Sequence, residues 1–443
     1  MPAIPSNSPI RDSHFTLDAS GVAGFFGGDE AISAMATVHL YKGRRWFGWY
    51  NSPGSYTVAK RYGQLANSRF WDGVFPGTNV DPATTFGLDG KEGTKYIAAY
   101  SGTVIERTGH TAYLMDILTQ DVEVKRIETR EATPMTVTVV TLADVVWKKK
   151  DVEVPLMSTY HALVACIPIV ISASACVGCA LARDWYPFAM ILLGIVANGL
   201  SCFIIGSAPL VLQTITPADG APPGDGILLK NDGVIVLKGA ERDVNAITKG
   251  AFALKMQGGP EYRAVGVCSL LLVAQFLLQL LLIPQATLFG QIMFVSSLAV
   301  SWFYTLFLSS LEKENLQARL LYATLKRPQM AKFKLCNRTA AAVFSSLVLS
   351  ERPPGSSCIP DNRTILDSFI ANNTRVWVEW KRKVTEQLQV AGEKTFDELG
   401  CNLTGWSDEE RRLLRTLLND AQQAYDGYKN LPRRGVNGLS QVV

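Results

Sequence analysis

Two long stretches almost without charge constrain this chain more than any other feature. Residues 162–218 contain two charged side chains, Arg183 and Asp184, and residues 264–311 contain none. A helix that crosses a lipid bilayer needs about 20 apolar residues, because the hydrocarbon core is about 30 Å thick and each helical residue adds about 1.5 Å. Each stretch has room for two such helices and a turn. The sequence therefore predicts four transmembrane helices in two hairpins.

The distribution of lysine and arginine predicts the orientation of these helices. The predicted spans are Ala162–Ala182, Phe188–Leu212, Ala264–Ile283 and Leu288–Leu308, within hairpins 158–212 and 263–310. Basic side chains are concentrated before the first span, between the second and third, and after the fourth, whereas the two hairpin turns together carry one arginine. Short loops rich in Lys and Arg remain in the cytoplasm. We therefore expect a multi-pass membrane protein with both termini and the central loop in the cytoplasm.

Polar side chains within the spans are few, and they form the first candidate site. They are Asn198, Gln275, Gln279 and Gln291. Gln275 and Gln279 are four residues apart and so share one helix face. These groups could line a path for an uncharged solute, but the favoured interpretation is a seam of hydrogen bonds between helices, each worth about 0.6 kcal/mol. The spans contain no Asp, Glu, Lys or Arg, which counts against an ion-coupled transporter.

Small residues in the first span predict close helix packing. Ser174 and Gly178 lie one turn apart, in a span rich in Ala, Ser and Gly. Small side chains allow helix backbones to approach closely in a membrane. We therefore predict that Ser174 and Gly178 form a helix-packing face and that the first span lies at the centre of the bundle. The leucine-rich third span is predicted to face lipid.

The N-terminal region, residues 1–60, is rich in Gly, Ser and Pro. Within it, Asp29 to Leu40 is predicted to form a helix. The segment KGRRWFGWY, Lys42 to Tyr50, combines basic and aromatic residues. Such a segment suits contact with lipid headgroups or with a partner protein, and a buried aromatic cluster explains it equally well.

Residues 61–157 are predicted to be a β-rich cytoplasmic region. The segments KYIAAYSGTVIER, TAYLMDIL, VEVKRIE and MTVTVVTL are rich in β-branched and aromatic residues. In the last of them, Met135, Val137 and Val139 alternate with threonine, the period of a half-buried strand. Each of the four segments is therefore predicted to be a strand.

The loop of residues 213–262 is predicted to be a ββαβ module. Asp232-Gly233 separates two apolar runs and predicts a hairpin in which Gly233 adopts a positive φ. ERDVNAITKG then predicts a short helix, and AFALKM a returning strand. A unit this small lacks a sufficient core of its own. We therefore expect it to pack on residues 95–147 and complete a mixed α+β cytoplasmic domain.

The C-terminal region, residues 311–443, is predicted to be helical and cytoplasmic. The fourth span is expected to continue as a helix until Pro328, and Pro353-Pro354-Gly355 predicts a break. Ser407 followed by Glu410 is the pattern of a capping box, which predicts the start of a further helix. The predicted fold class is thus an α+β membrane protein with four spans, a cytoplasmic domain and a helical C-terminal region.

The sequence contains no recognisable catalytic, cofactor-binding or metal-binding motif. The four histidines stand apart from one another, and a net charge of +4 gives no indication of nucleic-acid binding. Cys176 and Cys179 have the CxxC spacing of metal or redox sites, but they lie in an apolar predicted span, where cysteine usually acts as a small apolar residue, and no disulfide pattern is visible. We therefore predict no catalytic residues, no metal and no cofactor, and we do not expect an enzyme.

Three functions remain open from the sequence. The leading interpretation is a non-enzymatic membrane anchor or scaffold, whose cytoplasmic domain binds a protein partner or another copy of the chain. The first alternative is a channel or carrier for an uncharged solute. The second alternative is a membrane-bound enzyme with a cytoplasmic site. A water-wide path between the helices would favour the first alternative, and a deep cytoplasmic pocket with convergent titratable groups would favour the second.

Overall fold

The computed structural model describes residues 24–66, 68–77, 80–142, 152–255, 260–351, 359–390, 392–401 and 403–430. The chain folds into two compact units, and each is built from three separate stretches of sequence. The first, here called the helical unit, comprises Met1–Gly90, Lys149–Leu212 and Phe252–Gln317. The second, the sheet unit, comprises Lys91–Lys148, Gln213–Ala251 and Ala318–Val443. The predicted break at Pro353-Pro354-Gly355 and the lysines at 148–150 lie outside the described residues.

The described residues form sixteen α-helices and nine strands. The helices are α1 Gly28–Met35, α2 Thr37–Leu40, α3 Ser55–Leu65, α4 Arg69–Val74, α5 Pro82–Thr85, α6 His110–Gln120, α7 Thr159–Leu181, α8 Trp185–Ile205, α9 Glu241–Thr248, α10 Pro260–Leu282, α11 Leu288–Ser309, α12 Lys313–Thr324, α13 Arg338–Ser350, α14 Asn362–Phe369, α15 Arg375–Gln389 and α16 Asp408–Lys429. The strands are β1 Lys95–Ala98, β2 Val104–Ile105, β3 Val124–Ile127, β4 Met135–Thr141, β5 Leu210–Gln213, β6 Gly226–Leu229, β7 Gly233–Lys238, β8 Ala251–Leu254 and β9 Gln329–Leu335. Short 3₁₀ turns occupy Arg44–Trp46 and Ile283–Gln285.

Four helices of the helical unit are long and apolar enough to cross a membrane, as the sequence predicted. They are α7, α8, α10 with the 3₁₀ turn that follows it, and α11. The predicted continuation of the last of them to Pro328 is wrong, because α11 ends at Ser309 and α12 begins separately at Lys313. Ser309 and Ser310 donate their hydroxyls to carbonyls of the preceding turn, at 2.9 Å each. Such side-chain bonds compete with helix continuation.

Helix α8, rather than α7, is the most enclosed of the four. Half of the most apolar stretch of α8 is buried, compared with a third of that of α7. Helix α8 packs on α7, α10 and α11, while α10 also packs along α3. Glycines explain this position: a Cβ atom at Gly194 would overlap Asn51, and one at Gly199 would overlap the ring of Trp49. The prediction that the first span lies at the centre is therefore wrong for this chain.

The sheet unit contains a seven-stranded mixed sheet with the order β2-β1-β6-β7-β4-β9-β3. Strand β4 runs parallel to β7 and antiparallel to β9, and β6 pairs with β1. Strands from residues 213–251 therefore pair with strands from residues 95–141 in one sheet. The predicted returning strand, AFALKM, is β8, and it pairs with β5 in a separate two-stranded sheet. Helix α13 lies between the sheet and helices α15 and α16, and all of its residues from Thr339 to Leu349 are buried.

Two segments of the sheet unit differ in type from their prediction. TAYLMDIL was predicted to be a strand, but it belongs to helix α6, whose residues Ala112, Leu114 and Met115 are buried. A short apolar run does not distinguish a buried helix from a strand by its pattern alone. QMAKFKL was predicted to be helical, but it is strand β9. Its extended form follows from pairing with β4 on one side and β3 on the other.

The hairpin at Asp232-Gly233 is present, but its glycine has a different role from the one predicted. Strands β6 and β7 pair antiparallel, and the Lys230 amide donates to the Gly233 carbonyl at 2.9 Å. Gly233 is not among the described glycines with a positive φ. Instead, a Cβ atom there would overlap the hydroxyl of Thr136 on the neighbouring strand. Close approach of two strands, rather than backbone conformation, requires the glycine.

Candidate functional site

The candidate site is a cluster of buried polar groups inside the helical unit. Among the residues that the structure describes, no group of three His, Cys, Asp or Glu side chains could hold a metal ion. The site is formed by residues 41–54, here called the inserted segment, whose polar and charged side chains lie between the four long helices. This segment contains the predicted aromatic-basic run and is followed directly by helix α3.

The inserted segment starts beside the residues that precede helix α7. The Lys42 amide donates to the Pro155 carbonyl at 2.8 Å, and the Met157 amide donates to the Lys42 carbonyl at 3.2 Å. Gly43, with φ of +94°, then allows the chain to turn into the unit. The segment is therefore fixed close to the start of α7 and continues inward from there.

Asn51 lies midway along the long helices and is fully buried. Its backbone amide donates to the Ser172 hydroxyl of α7 at 3.1 Å, and its side-chain amide donates to the Ser297 hydroxyl of α11 at 2.9 Å. Ser172 lies nine residues before the end of α7, and Ser297 lies nine residues after the start of α11. Nine residues correspond to about 13 Å of helix, close to half of the thickness of a bilayer core. Gly194 of α8 lies at the same level and leaves the space that Asn51 fills.

Arg44 is a buried cation without a carboxylate partner among the described residues. Its side chain is 2% exposed. One Nη atom donates to the Phe47 carbonyl at 2.9 Å, and the other reaches the Tyr50 hydroxyl at 3.5 Å. The guanidinium lies 5.4 Å from the centroid of the Tyr304 ring of α11, a cation–π distance. The Cys202 thiol of α8 also contacts the guanidinium, so backbone, phenol, thiol and ring contacts surround the positive charge and do not neutralise it.

A small cavity of about 20 Å³ adjoins Arg44. Its polar lining includes Ser52, Tyr62 of α3, Asn198 and Ser201 of α8, and Thr305 of α11. A water molecule needs roughly 10–15 Å³ measured in this way, so the cavity has room for one or two water-sized species. It is enclosed by the inserted segment, α1, α2, α3 and the long helices α8, α10 and α11.

Several buried polar atoms around the inserted segment have no hydrogen-bond partner among the residues that the structure describes. They are Arg44 Nε, Asn51 Oδ1, Ser55 Oγ, Tyr62 Oη, Ser301 Oγ and Trp302 Nε1. A buried polar group without a partner costs about 1–3 kcal/mol, and native proteins rarely leave one unsatisfied. Their concentration in one place fits a site that takes up water or a small polar solute.

The N-termini of α1 and α3 meet beside this cluster. Gly27 and Gly54, which precede the two helices, both have φ of +73°. A Cβ atom at Gly54 would overlap the backbone of Gly28, the first residue of α1. The two helix N-termini are therefore in contact with each other, and Pro53, just before α3, lines the cavity.

The four predicted polar residues are all buried, but they do not form one seam with each other. Asn198 joins the cluster by donating to the Gly48 carbonyl at 2.7 Å. The amide of Gln275 lies beside Gly194, and that of Gln279 lies beside Gly24. Gln291 bonds the carbonyls of Ile283 and Ala286, at 3.2 and 3.3 Å, at the connection between α10 and α11. Asn198, Gln275 and Gln279 thus lie against the N-terminal residues, and Gln291 lies elsewhere.

Ser174 and Gly178 do not form the packing face predicted for them within this chain. Ser174 is exposed, and a Cβ atom at Gly178 would meet only one atom, Phe289 Cζ, at 4.0 Å. The buried face of α7 contains Ala165, Pro168, Ser172, Ala175, Cys176 and Cys179. Small residues do occur on the buried face of α7, but Ser174 and Gly178 lie on a different face, which points away from the helices that α7 contacts.

Sequence reasoning missed Arg44, Tyr50 and Asn51 as members of the site. The aromatic-basic run pointed to this segment, and a buried aromatic cluster was one of its two interpretations. The run is short and carries three basic residues, Lys42, Arg44 and Arg45, so it has no resemblance to a span. Only its contacts with α7 and α11, which are distant in sequence, reveal that it is buried.

Comparison with known proteins gives no family or relative. No protein-family model, no curated protein and no solved structure is significantly similar to the chain. The class defined by the fold is therefore a chain with a mixed-sheet unit and a unit of four membrane-length helices.

Proposed function

We propose that the chain crosses a membrane four times in two hairpins, with both termini and the central loop in the cytoplasm. The distribution of Lys and Arg supports this orientation. A contact within the helical unit supports the arrangement in two hairpins. Asp184, in the turn between α7 and α8, accepts hydrogen bonds from the backbone amide and hydroxyl of Thr287, at 2.9 and 2.5 Å. Thr287 caps the start of α11. This contact between the two connecting turns supports an arrangement in two hairpins.

We further propose that the helical unit provides a pathway for a small polar solute across the membrane. The observation that carries this proposal is the position of Asn51, buried midway along α7, α8 and α11 with hydrogen bonds to two of them. Irregular backbone at membrane depth is tolerated only where it is buried in protein or lines a water-filled cavity. Polar and charged groups at that depth are costly, and they usually serve a function.

An anchor or scaffold role accounts for the sheet unit but gives no role to the inserted segment. Four apolar helices suffice to hold a protein in a bilayer, and a buried arginine weakens such an anchor. A solute site explains both the cavity and the unpartnered polar atoms. The sheet unit, with its own hydrophobic core, remains a candidate for binding a partner protein or a second copy of the chain.

Reconstitution into liposomes tests the solute proposal. Purified full-length protein would be compared with empty liposomes for permeability to water, glycerol and chloride. We expect higher permeability to at least one of the three, and a reduction of several-fold in Asn51→Leu. Gln285→Leu, which changes an exposed amide in a turn, is the matched control and should equal the wild type. Permeability equal to that of empty liposomes for all three probes would contradict the proposal.

A further inference from the structure

We propose that the cavity beside Arg44 binds a halide ion, with chloride as the accessible probe. This inference rests on the proposed function, since it names the solute class of that site. Three observations carry it: an uncompensated buried cation, an enclosed cavity of matching size, and unpartnered hydrogen-bond donors at the cavity.

The charge of Arg44 identifies the sign of the ligand. Moving an arginine out of water costs several kcal/mol unless a counter-charge lies beside it. Among the described residues, Arg44 forms no ion pair, and the carbonyl, phenol and ring around it are neutral. An anion is therefore the species that would lower the free energy of this site.

The size of the cavity restricts the anion to a monatomic one. A volume of about 20 Å³ accommodates one or two water-sized species. A tetrahedral oxyanion such as phosphate has five heavy atoms and needs several times this space, and an organic carboxylate needs more. A halide ion, comparable in size to water, fits.

The donors at the cavity suit an anion better than a cation. Arg44 Nε and the Tyr62 hydroxyl are buried and have no hydrogen-bond partner within the described part of the chain, and both residues line the cavity. Asn198 already donates its side-chain amide to Gly48. The Ser201 and Thr305 hydroxyls donate to carbonyls of their own helices, at 2.7 and 2.8 Å. The free hydrogen-bonding capacity of the cavity therefore includes N–H and O–H groups from two residues.

Thermal unfolding of the full-length protein in detergent tests the proposal. The melting temperature would be measured in sodium chloride and in sodium gluconate at equal ionic strength, because a ligand that binds the folded state stabilises it by mass action. We expect chloride to raise the melting temperature of the wild type by a few degrees. Arg44→Gln should abolish this difference. Arg45→Gln removes a neighbouring arginine that stacks on Trp46 and Phe203, and it should retain the difference.

A second variant keeps the test decisive if Arg44→Gln does not fold. Tyr62→Phe removes one donor and leaves the ring in place, and it should weaken chloride affinity about tenfold, as expected for a hydrogen bond to a charged group. Chloride stabilisation that persists in Arg44→Gln, or is absent from the wild type, would overturn the halide site. If the wild type shows no chloride effect but conducts water or glycerol in an Asn51-dependent way, the halide inference fails and the proposed function stands.

Discussion

The two units of this protein treat buried polar groups in opposite ways. In the sheet unit, the carboxylate of Asp420 is fully buried and accepts two hydrogen bonds from Arg130, at 3.0 and 2.7 Å, and one from Thr339 at 2.8 Å. In the helical unit, the guanidinium of Arg44 is equally buried and has no ionic partner among the described residues. Paired buried charges fix a fold, whereas an unpaired one leaves its charge available to a ligand.

The same contrast holds for glycine. In the sheet unit, Gly233 allows two paired strands to approach closely. In the helical unit, Gly194 and Gly199 instead provide room on α8 for Asn51 and Trp49 of the inserted segment. Small residues thus serve regular pairing in one unit and admit an irregular segment in the other.

The largest expected effect comes from a substitution that breaks the ion pair between Arg130 and Asp420 in the sheet unit. Arg130→Met would leave the carboxylate of Asp420 buried with Thr339 as its remaining side-chain donor. Asp420 is fully buried although Arg130 is partly exposed, and a buried carboxylate that loses its hydrogen bonds to a charged partner costs about 3 kcal/mol, so chemical denaturation of the full chain should detect a less stable sheet unit. Arg126→Ala is the control, since the pair of Arg126 with Glu131 is exposed and should contribute less than about 1 kcal/mol. Equal losses for the two variants would mean that burial does not distinguish the pairs.

A smaller effect is expected at a carboxylate of the sheet unit that is only half satisfied. Asp225 is 2% exposed. One of its oxygens accepts a hydrogen bond from the Gly239 amide at 2.8 Å, and the other has no partner in the described segments. Burial raises the pKa of Asp225 from 3.8 to about 6, although the Gly239 hydrogen bond and Lys238 oppose this shift. The folded state therefore binds the proton more tightly than the unfolded state, and stability falls as pH rises from about 4 to about 6.

Asp225→Asn should remove this pH dependence. The free energy of unfolding of the variant should exceed that of the wild type by about 2–3 kcal/mol at pH 7.5, because each unit of pKa shift corresponds to about 1.4 kcal/mol. The difference should close as the pH falls below 6 towards 4. Hydrogen exchange of β6 and β7 in the full chain would measure it. A difference that is constant with pH would show that the ionisation of Asp225 is not its cause.

Sequence reasoning predicted those features that depend on residues close together in the chain. The absence of charge located the four long helices, and the hairpin at Asp232-Gly233 and the capping box of Ser407 with Glu410 are both present. Each of these signals lies within one element or one turn. The identities of such elements follow from local composition and hydrogen bonding.

The candidate site could not be predicted in this way, because its contacts join distant residues. Asn51 bonds Ser172 and Ser297, which are 121 and 246 positions away. Strand β9 is likewise extended because it pairs with β3 and β4, about two hundred residues earlier in the chain. The face of α7 that packs depends on where its neighbours lie, which the pattern of small residues at Ser174 and Gly178 did not determine.

The smallest expected effect comes from comparing leucine substitutions at two glycines of the helical unit, which tests which glycine is needed for packing. Gly194→Leu would force Asn51 from its position and should cost about 1–3 kcal/mol by overpacking. Gly178→Leu places its side chain where only Phe289 lies within 4 Å, and it should be nearly neutral, since leucine also favours a helix. Melting temperatures in detergent would compare the two. A greater loss for Gly178→Leu would restore the predicted packing face and contradict the structure.

Cross-linking inside the helical unit decides whether the inserted segment lies among the long helices. Asn51→Cys and Ser297→Cys would be combined in a chain whose native cysteines are replaced, and treated in native membranes with a short bifunctional thiol reagent before mass spectrometry of the peptides. The polar atoms of the Asn51 and Ser297 side chains are 2.9 Å apart, so the two thiols should lie close enough for the reagent to join them in high yield. Asn51→Cys with Gln285→Cys, at the exposed turn, should give none. Absence of the first cross-link, together with labelling of Asn51→Cys by a membrane-impermeant maleimide, would contradict the burial of this segment and the solute site built on it.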